Sequence, residues 1–186
     1  AILPLIHLTN QYGLEIFDIH KQSVHGGSMR IFVSKKNNFK VKNSVKEFIE
    51  NEYKFGLDNL ETYQKFSLKV KELKINLKKL LDILKTENKL IFGYGASAKG
   101  NVLLNYCEID NNTLEFVIDT TSIKQGKFTP GTHIPIISPE NMVKKGVDDV
   151  ALLLAWNYEH EILEKEKEFR DKGGKFLIPI PTPEIK

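Results

Sequence analysis

The 186 residues suit one domain, or one domain with a smaller flanking piece, and a formal charge of only +3 with lysines interleaved among glutamates leaves no basic footprint for nucleic acid. Cys107 is the only cysteine, so no intrachain disulfide forms and a reducing compartment, the cytoplasm, is expected; no Cys/His spacing suits zinc, and no apolar run reaches the roughly 18 residues of a membrane-spanning helix. The opening Ala1 to Ile6 is too short for a signal peptide, and the missing initiator methionine reads as a piece of something longer.

Residues 1–12 predict a short helix ended by Gly13. Leu14 to His20 alternates in strand fashion, and Met29 to Val33 alternates again. The turn signal Val24-His25-Gly26-Gly27-Ser28 between them makes an antiparallel hairpin, which needs other strands to lean on. Asn43 to Asn88 reads as helical, broken at Gly56 and Asp58, with Asp58 as a candidate N-cap. The helix beyond that break is long for a compact domain, and suits a connector packing across a sheet better than a coiled-coil arm.

From residue 90 the rhythm becomes strand, helix, strand. Leu90 to Phe92 is a short apolar strand, followed by a glycine-rich turn and a helix through Tyr106. Phe116 to Asp119, Ile134 to Ile137, Val150 to Ala155 and Phe176 to Pro179 are further strands. Ser138 and Pro139 open a helix, and Glu159 to Lys172 is a charged helix closed by Gly173-Gly174. The fold class is therefore α/β: a Rossmann-like parallel sheet of about five strands with helices on both faces, preceded by a hairpin and a long helix. The expected divisions are residues 1–40, 41–88 and 89–186.

The strongest chemical signal is the turn Gly93-Tyr94-Gly95-Ala96-Ser97-Ala98-Lys99-Gly100. Glycines let a backbone approach a ligand closely, and the exposed N–H groups of a new helix favour an anion. Ser97 adds a hydroxyl donor and Lys99 a positive charge. The third glycine falls two places late for G-x-G-x-x-G, and the ending of a P-loop is absent, so a tight turn without a ligand is the other reading. Asp119 stands where dinucleotide folds hold a ribose hydroxyl, or else it caps a strand end. The long loop 121–132, with Lys124 and Lys127, suits a pyrophosphate or is a solvated loop. Trp156 and Asn157 follow a strand and could stack on and bond a base, or fill the sheet rim. In the hairpin turn, His25 could be a general base and Ser28 and Arg30 could grip a diphosphate; a solvated turn is the alternative. His7, His20, His133 and His160 read as structural.

Four clusters in order, His25-Gly26-Gly27-Ser28-Met29-Arg30, Gly93 to Asn101, Lys124 to Pro135 and Leu154 to Tyr158, resemble the C-terminal region of S-adenosylmethionine-dependent sugar-nucleotide C-methyltransferases. The resemblance covers about residues 10 to 180. It implies that residues 1–40 are the tail of a methyltransferase domain, 41–88 a helical connector and 89–186 a Rossmann-like nucleotide-sugar-binding domain. It also implies that the family's cysteine-rich zinc segment, its methyl-donor loop and its Tyr-x-Glu-His base motif are missing here. S-adenosylmethionine would then bind mostly outside this chain, and zinc only in the missing segment. The partner implied is a nucleotide-diphosphate sugar, with neither nucleic acid nor membrane, held through Gly93, Tyr94, Gly95, Ser97, Lys99, Asp119, Lys127, Trp156 and Asn157, with His25, Ser28 and Arg30 near an interdomain cleft. The chain alone is expected to lack methyltransferase activity. A nicotinamide-dependent oxidoreductase domain and a non-catalytic nucleotide- or partner-binding module are the competing readings.

Overall fold

A computed structural model of the chain describes residues 1–24, 27–141 and 148–186. It divides into two compact units, Ala1–Lys69 and Val70–Lys186.

The first unit opens with α1 (Leu3–Gln11), which has proline in its first turn, and Gly13 follows at φ 67°. Strands β1 (Leu14–Gln22) and β2 (Ser28–Lys35) pair antiparallel, with a bulge between Ile16 and Asp18. Helix α2 (Asn43–Phe55) follows and ends at Gly56 in the left-handed conformation. Among the described residues this sheet has two strands. What buries its face is helical. Ile16 and Ile19 of β1 join Ile2 and Val45, with Leu5, Ile6, Phe48 and Ile49 packed around them. The N-cap of the next helix is corrected from Asp58 to Asn59, whose Oδ1 accepts the Glu61 N–H at 3.0 Å.

Helix α3 (Leu60–Thr86) carries the chain from the first unit into the second. Its buried residues, Leu77, Leu81 and Leu84, all lie in the second unit and recur at helical spacing. The second unit is a six-stranded sheet of β3 (Ile91–Tyr94), β4 (Val117–Ile118), β5 (Ile136–Ile137), β6 (Val150–Leu153), β7 (Lys175–Ile178) and β8 (Glu184–Ile185). The order is β5-β4-β3-β6-β7-β8, parallel except for β8. Alternate residues of each strand serve opposite faces, as the pleat requires. Ile91, Val117, Leu152 and Leu177 pack with α3 and with Leu103, Leu104 and Cys107 of α4 (Ala98–Cys107). Phe92, Tyr94, Ala151, Leu153 and Phe176 pack with Phe169 and, partly, Ile162 and Leu163 on the other face.

The Rossmann-like sheet with helices on both faces is thus present, with two corrections. The sheet gains a sixth, antiparallel edge strand. The charged helix over 159–172 is two helices, α5 (Glu159–Lys165) and α6 (Lys167–Asp171), broken at Glu166. The helix expected from Ser138 begins as a 3-10 turn over Pro139–Asn141, and residues 142–147 lie outside the described residues.

Candidate functional site

Strand β3 lies between β4 and β6, so the chain order reverses beside it. Open α/β sheets bind ligands at the carboxyl ends of strands flanking such a reversal. The glycine-rich turn leaves β3 at that place, and Ser97 is the N-cap of α4. Its Oγ accepts the Gly100 N–H at 2.9 Å and donates to the Leu154 carbonyl at 2.8 Å. The hydroxyl proton is therefore already engaged within the fold.

The glycines are explained by packing against the strands on either side. A Cβ on Gly93 would lie 2.8 Å from Val117 Cγ2 and 2.9 Å from Leu154 Cδ1. One on Gly95, at φ 85°, would lie 2.9 Å from the Ala155 Cβ. One on Gly100 would lie 2.5 Å from the Leu154 Cβ and 2.9 Å from its carbonyl oxygen. The end of β6 and the residues after it thus fill the space that these glycines open.

Asp119 leaves the end of β4 and is buried. Its Oδ2 accepts the Ala96 N–H at 2.7 Å and the Lys124 ammonium at 3.0 Å, and its Oδ1 accepts the Thr121 N–H at 2.7 Å. Burial pushes this carboxyl up, but the hydrogen bonds from Thr121 and the Lys124 ammonium outweigh it, so Asp119 lies below the usual carboxylate range. Lys124 also donates to the Ala96 carbonyl at 2.9 Å. Together, Asp119 and Lys124 clasp both peptide groups of Ala96 and tie the turn to the loop after β4.

Two cavities flank this clasp, and Ser97 and Lys124 line both. The first, about 420 Å³, is bounded by Ala98 and Asn101 of α4 and by Lys127, Phe128 and Pro130 of the loop. With Gly100 and Asn101 N–H groups bonded to Ser97, those of Ala98 and Lys99 have no partner among the described residues. Asn101 Oδ1 is buried there without a partner among the described residues, while Phe128 is 62% exposed at the rim. The second cavity, about 310 Å³, is lined by Tyr94, Asp119, Thr121, Tyr158 and Lys165. The Tyr94 hydroxyl donates to Glu166 Oε1 at 2.6 Å, and burial together with that carboxylate pushes its pKa up.

The other sequence-predicted residues are dispersed. Lys99 is exposed on the first turn of α4 and lines neither cavity; Lys127 lines the first. Trp156 and Asn157 occupy a 3-10 turn and line a separate open groove of about 1010 Å³ beside Glu159, His160 and Arg170. The Trp156 ring packs against the core cluster that contains Leu154. Ser28 and Arg30 belong to the first unit and are exposed; Ser28 donates to the Val24 carbonyl at 3.3 Å and Arg30 stands opposite His20 in the hairpin. His25 lies outside the described residues.

Sequence reasoning missed a buried carboxylate in the first unit. Asp18 accepts from Lys42 Nζ at 2.6 Å, Ser44 Oγ at 2.8 Å and the Ile19 N–H at 2.9 Å, with His20 Nε2 at 3.0 Å. The Lys42 ammonium beside it, against the opposing effect of burial and with help from Ser44, Ile19 and His20, holds Asp18 far below the usual carboxylate range. An acidic residue between the inward-facing Ile16 and Ile19 was the available signal. Among the described residues, no group of three or more His, Cys, Asp or Glu side chains could hold a metal, and no helix is long and apolar enough to cross a membrane.

The strand order, the capped turn and the two cavities beside it define a doubly wound α/β domain of the kind that binds ligands at its strand ends. The chain belongs to the C-methyltransferase C-terminal domain family, whose model matches residues 23–181. It is 38% identical over 182 residues to the C-methyltransferase NovU of Streptomyces niveus, a match covering 97% of this chain and 43% of NovU. The chain thus spans less than half the length of that curated relative.

Proposed function

We propose that this chain is the part of an S-adenosylmethionine-dependent C-methyltransferase that holds a nucleotide-linked keto-sugar by its diphosphate, in the 420 Å³ cavity. The observation that carries this reading is the composition of that cavity. It combines two lysines, a helix start whose first N–H groups have no partner among the described residues and a buried acceptor at Asn101 with an exposed aromatic ring. An anion is favoured by the first two, and a ligand with a planar base and hydroxyl or N–H donors by the others. Its volume falls within the range of small-molecule sites, about 300–1,000 Å³.

In this reading the methyl donor supplies an electrophilic methyl group, and a base outside this chain removes the proton next to the sugar's keto group. This chain binds and orients the substrate. Ser97 and Asp119 keep the turn in shape, Lys124 and Lys127 meet the diphosphate, and the exposed Ser28 and Arg30 of the hairpin are further substrate-binding candidates. On its own the chain is inactive.

Calorimetric titration with uridine and thymidine diphosphates, a nicotinamide dinucleotide and S-adenosylmethionine tests the reading. The nucleoside diphosphates should bind best, and Lys127→Ala should weaken them about five- to tenfold by removing one charge-assisted hydrogen bond. Preference for the dinucleotide, or unchanged affinity in the variant, would overturn the assignment. Methylation of a keto-sugar nucleotide by the isolated chain would overturn the inactivity. The oxidoreductase alternative finds a Tyr94–Lys165 pair at 3.5 Å, but the Tyr94 hydroxyl donates to Glu166 and its raised pKa opposes ionisation.

A further inference from the structure

We infer that Asp119 is a positioning residue for the diphosphate: it fixes the Lys124 ammonium so that one remaining N–H is presented, preoriented, at the cavity wall. This rests on the reading that the 420 Å³ cavity takes a diphosphate.

An ammonium has three N–H donors and no acceptor. Two of those on Lys124 are engaged, one with the Ala96 carbonyl at 2.9 Å and one with Asp119 Oδ2 at 3.0 Å. The third has no partner among the described residues, and Lys124 lines the cavity. The two partners are themselves well held. Asp119 is buried and anchored by the Thr121 N–H, and Ala96 sits in the turn that Gly95 and Ser97 shape. A free lysine loses considerable rotamer entropy when it grips a ligand. In Lys124 that ordering is already in place before the ligand arrives. Lys127 offers the contrast: it lines the same cavity but is exposed, with no ion pair among the described residues.

The inference makes a prediction opposite in sign to simple electrostatics. A carboxylate beside an anion site repels the anion, so by Coulomb's law alone Asp119→Asn should tighten binding. If Asp119 acts by holding Lys124, the same substitution should weaken it. It also separates this role from a hydrogen bond to a ribose hydroxyl, because inorganic pyrophosphate has no ribose.

The experiment is calorimetric titration of the full chain with inorganic pyrophosphate and with uridine diphosphate. Asp119→Asn should weaken both, by about fivefold, the scale of one charge-assisted contact. Lys124→Ala, at a partly exposed side chain, should weaken pyrophosphate at least as much. The double variant should bind no worse than Lys124→Ala alone, since Asp119 has nothing left to position. A general loss of structure would instead add the two losses, and circular dichroism melts check that each variant is folded. Tighter or unchanged pyrophosphate binding in folded Asp119→Asn, or loss confined to uridine diphosphate, overturns the positioning role and leaves the cavity assignment intact. If Asp119→Asn does not fold, unchanged pyrophosphate binding in Lys124→Ala overturns it by itself. If wild-type protein binds neither pyrophosphate nor nucleoside diphosphate, both the cavity assignment and this role fall.

Discussion

Replacing Gly100 with alanine sets two effects against each other. Gly100 lies in the first turn of α4 without a left-handed backbone, so helix propensity alone favours alanine by about 1 kcal/mol. Packing opposes it. The new methyl would meet the Leu154 Cβ at 2.5 Å and its carbonyl oxygen at 2.9 Å, with Ser97 Oγ at 3.1 Å. Leu154 continues from β6, which is paired on both edges, so its backbone has little room to retreat. Forcing a methyl group into such a contact costs typically about 1–3 kcal/mol, which leaves a net loss of about 1 kcal/mol, and more if the Ser97 cap is also lost. With a urea slope of about 1–3 kcal/mol/M, the midpoint should fall by about 0.3–1 M. Trp156, the only tryptophan, sits two residues beyond Leu154 and reports this region by fluorescence. A midpoint equal to or above wild type would refute the packing explanation, and the glycine would then owe its place to a ligand.

Asn88 ends α3 in the left-handed conformation at φ 56°, with the Lys89 N–H bonded to the Leu84 carbonyl at 3.0 Å, so Asn88→Gly should raise the same midpoint by an amount equivalent to about 0.5–1 kcal/mol. A lower midpoint would show that the Asn88 side chain matters more than its backbone. Because Lys42 and its neighbours depress Asp18, its contribution to stability is present above the ordinary carboxylate pKa and is lost only as pH falls through the lower folded value. The NMR signals of the Asp18 carboxyl should therefore stay flat as pH falls through about 4, and an inflection there would contradict the buried cluster. Tyr94→Phe removes the hydrogen bond to Glu166 and should destabilise the sheet by about 1–2 kcal/mol, with nucleoside diphosphate affinity unchanged because Tyr94 lines the second cavity alone. Weakened titration by that variant would move the ligand to the second cavity.

Much of the fold was legible because its signals are local. Val150 to Leu153 is uniformly apolar because both its faces are covered, and the glycine-rich turn between a short apolar strand and a helix marks the first strand-to-helix unit. What escaped depends on distant partners. That Gly100 is needed by Leu154 follows only once β6 is known to lie beside β3. The break at Glu166 has no glycine or proline to mark it, and the two residues of β8 are too few for any periodicity. The site was half legible for the same reason. Asp119 and Lys127 could be singled out by type and spacing, whereas the dual bonding of Lys124, and the Asn101 acceptor that has no partner among the described residues, arise from where the loop folds back.

Strand β8 bears on solubility. Phe176, Leu177 and Ile178 form an apolar strand that would otherwise be the sheet's open border, a template for pairing with other chains. The short antiparallel segment covers it, through reciprocal bonds between Phe176 and Lys186 at 2.9 and 2.8 Å. It also carries Glu184 and Lys186, which pair with each other at 2.8 Å, while Lys186 pairs with Glu159 at 2.7 Å. Residues 184–186 thus act as a guard against aggregation, and breaking their pairing with β7 would show first as turbidity in concentrated solution.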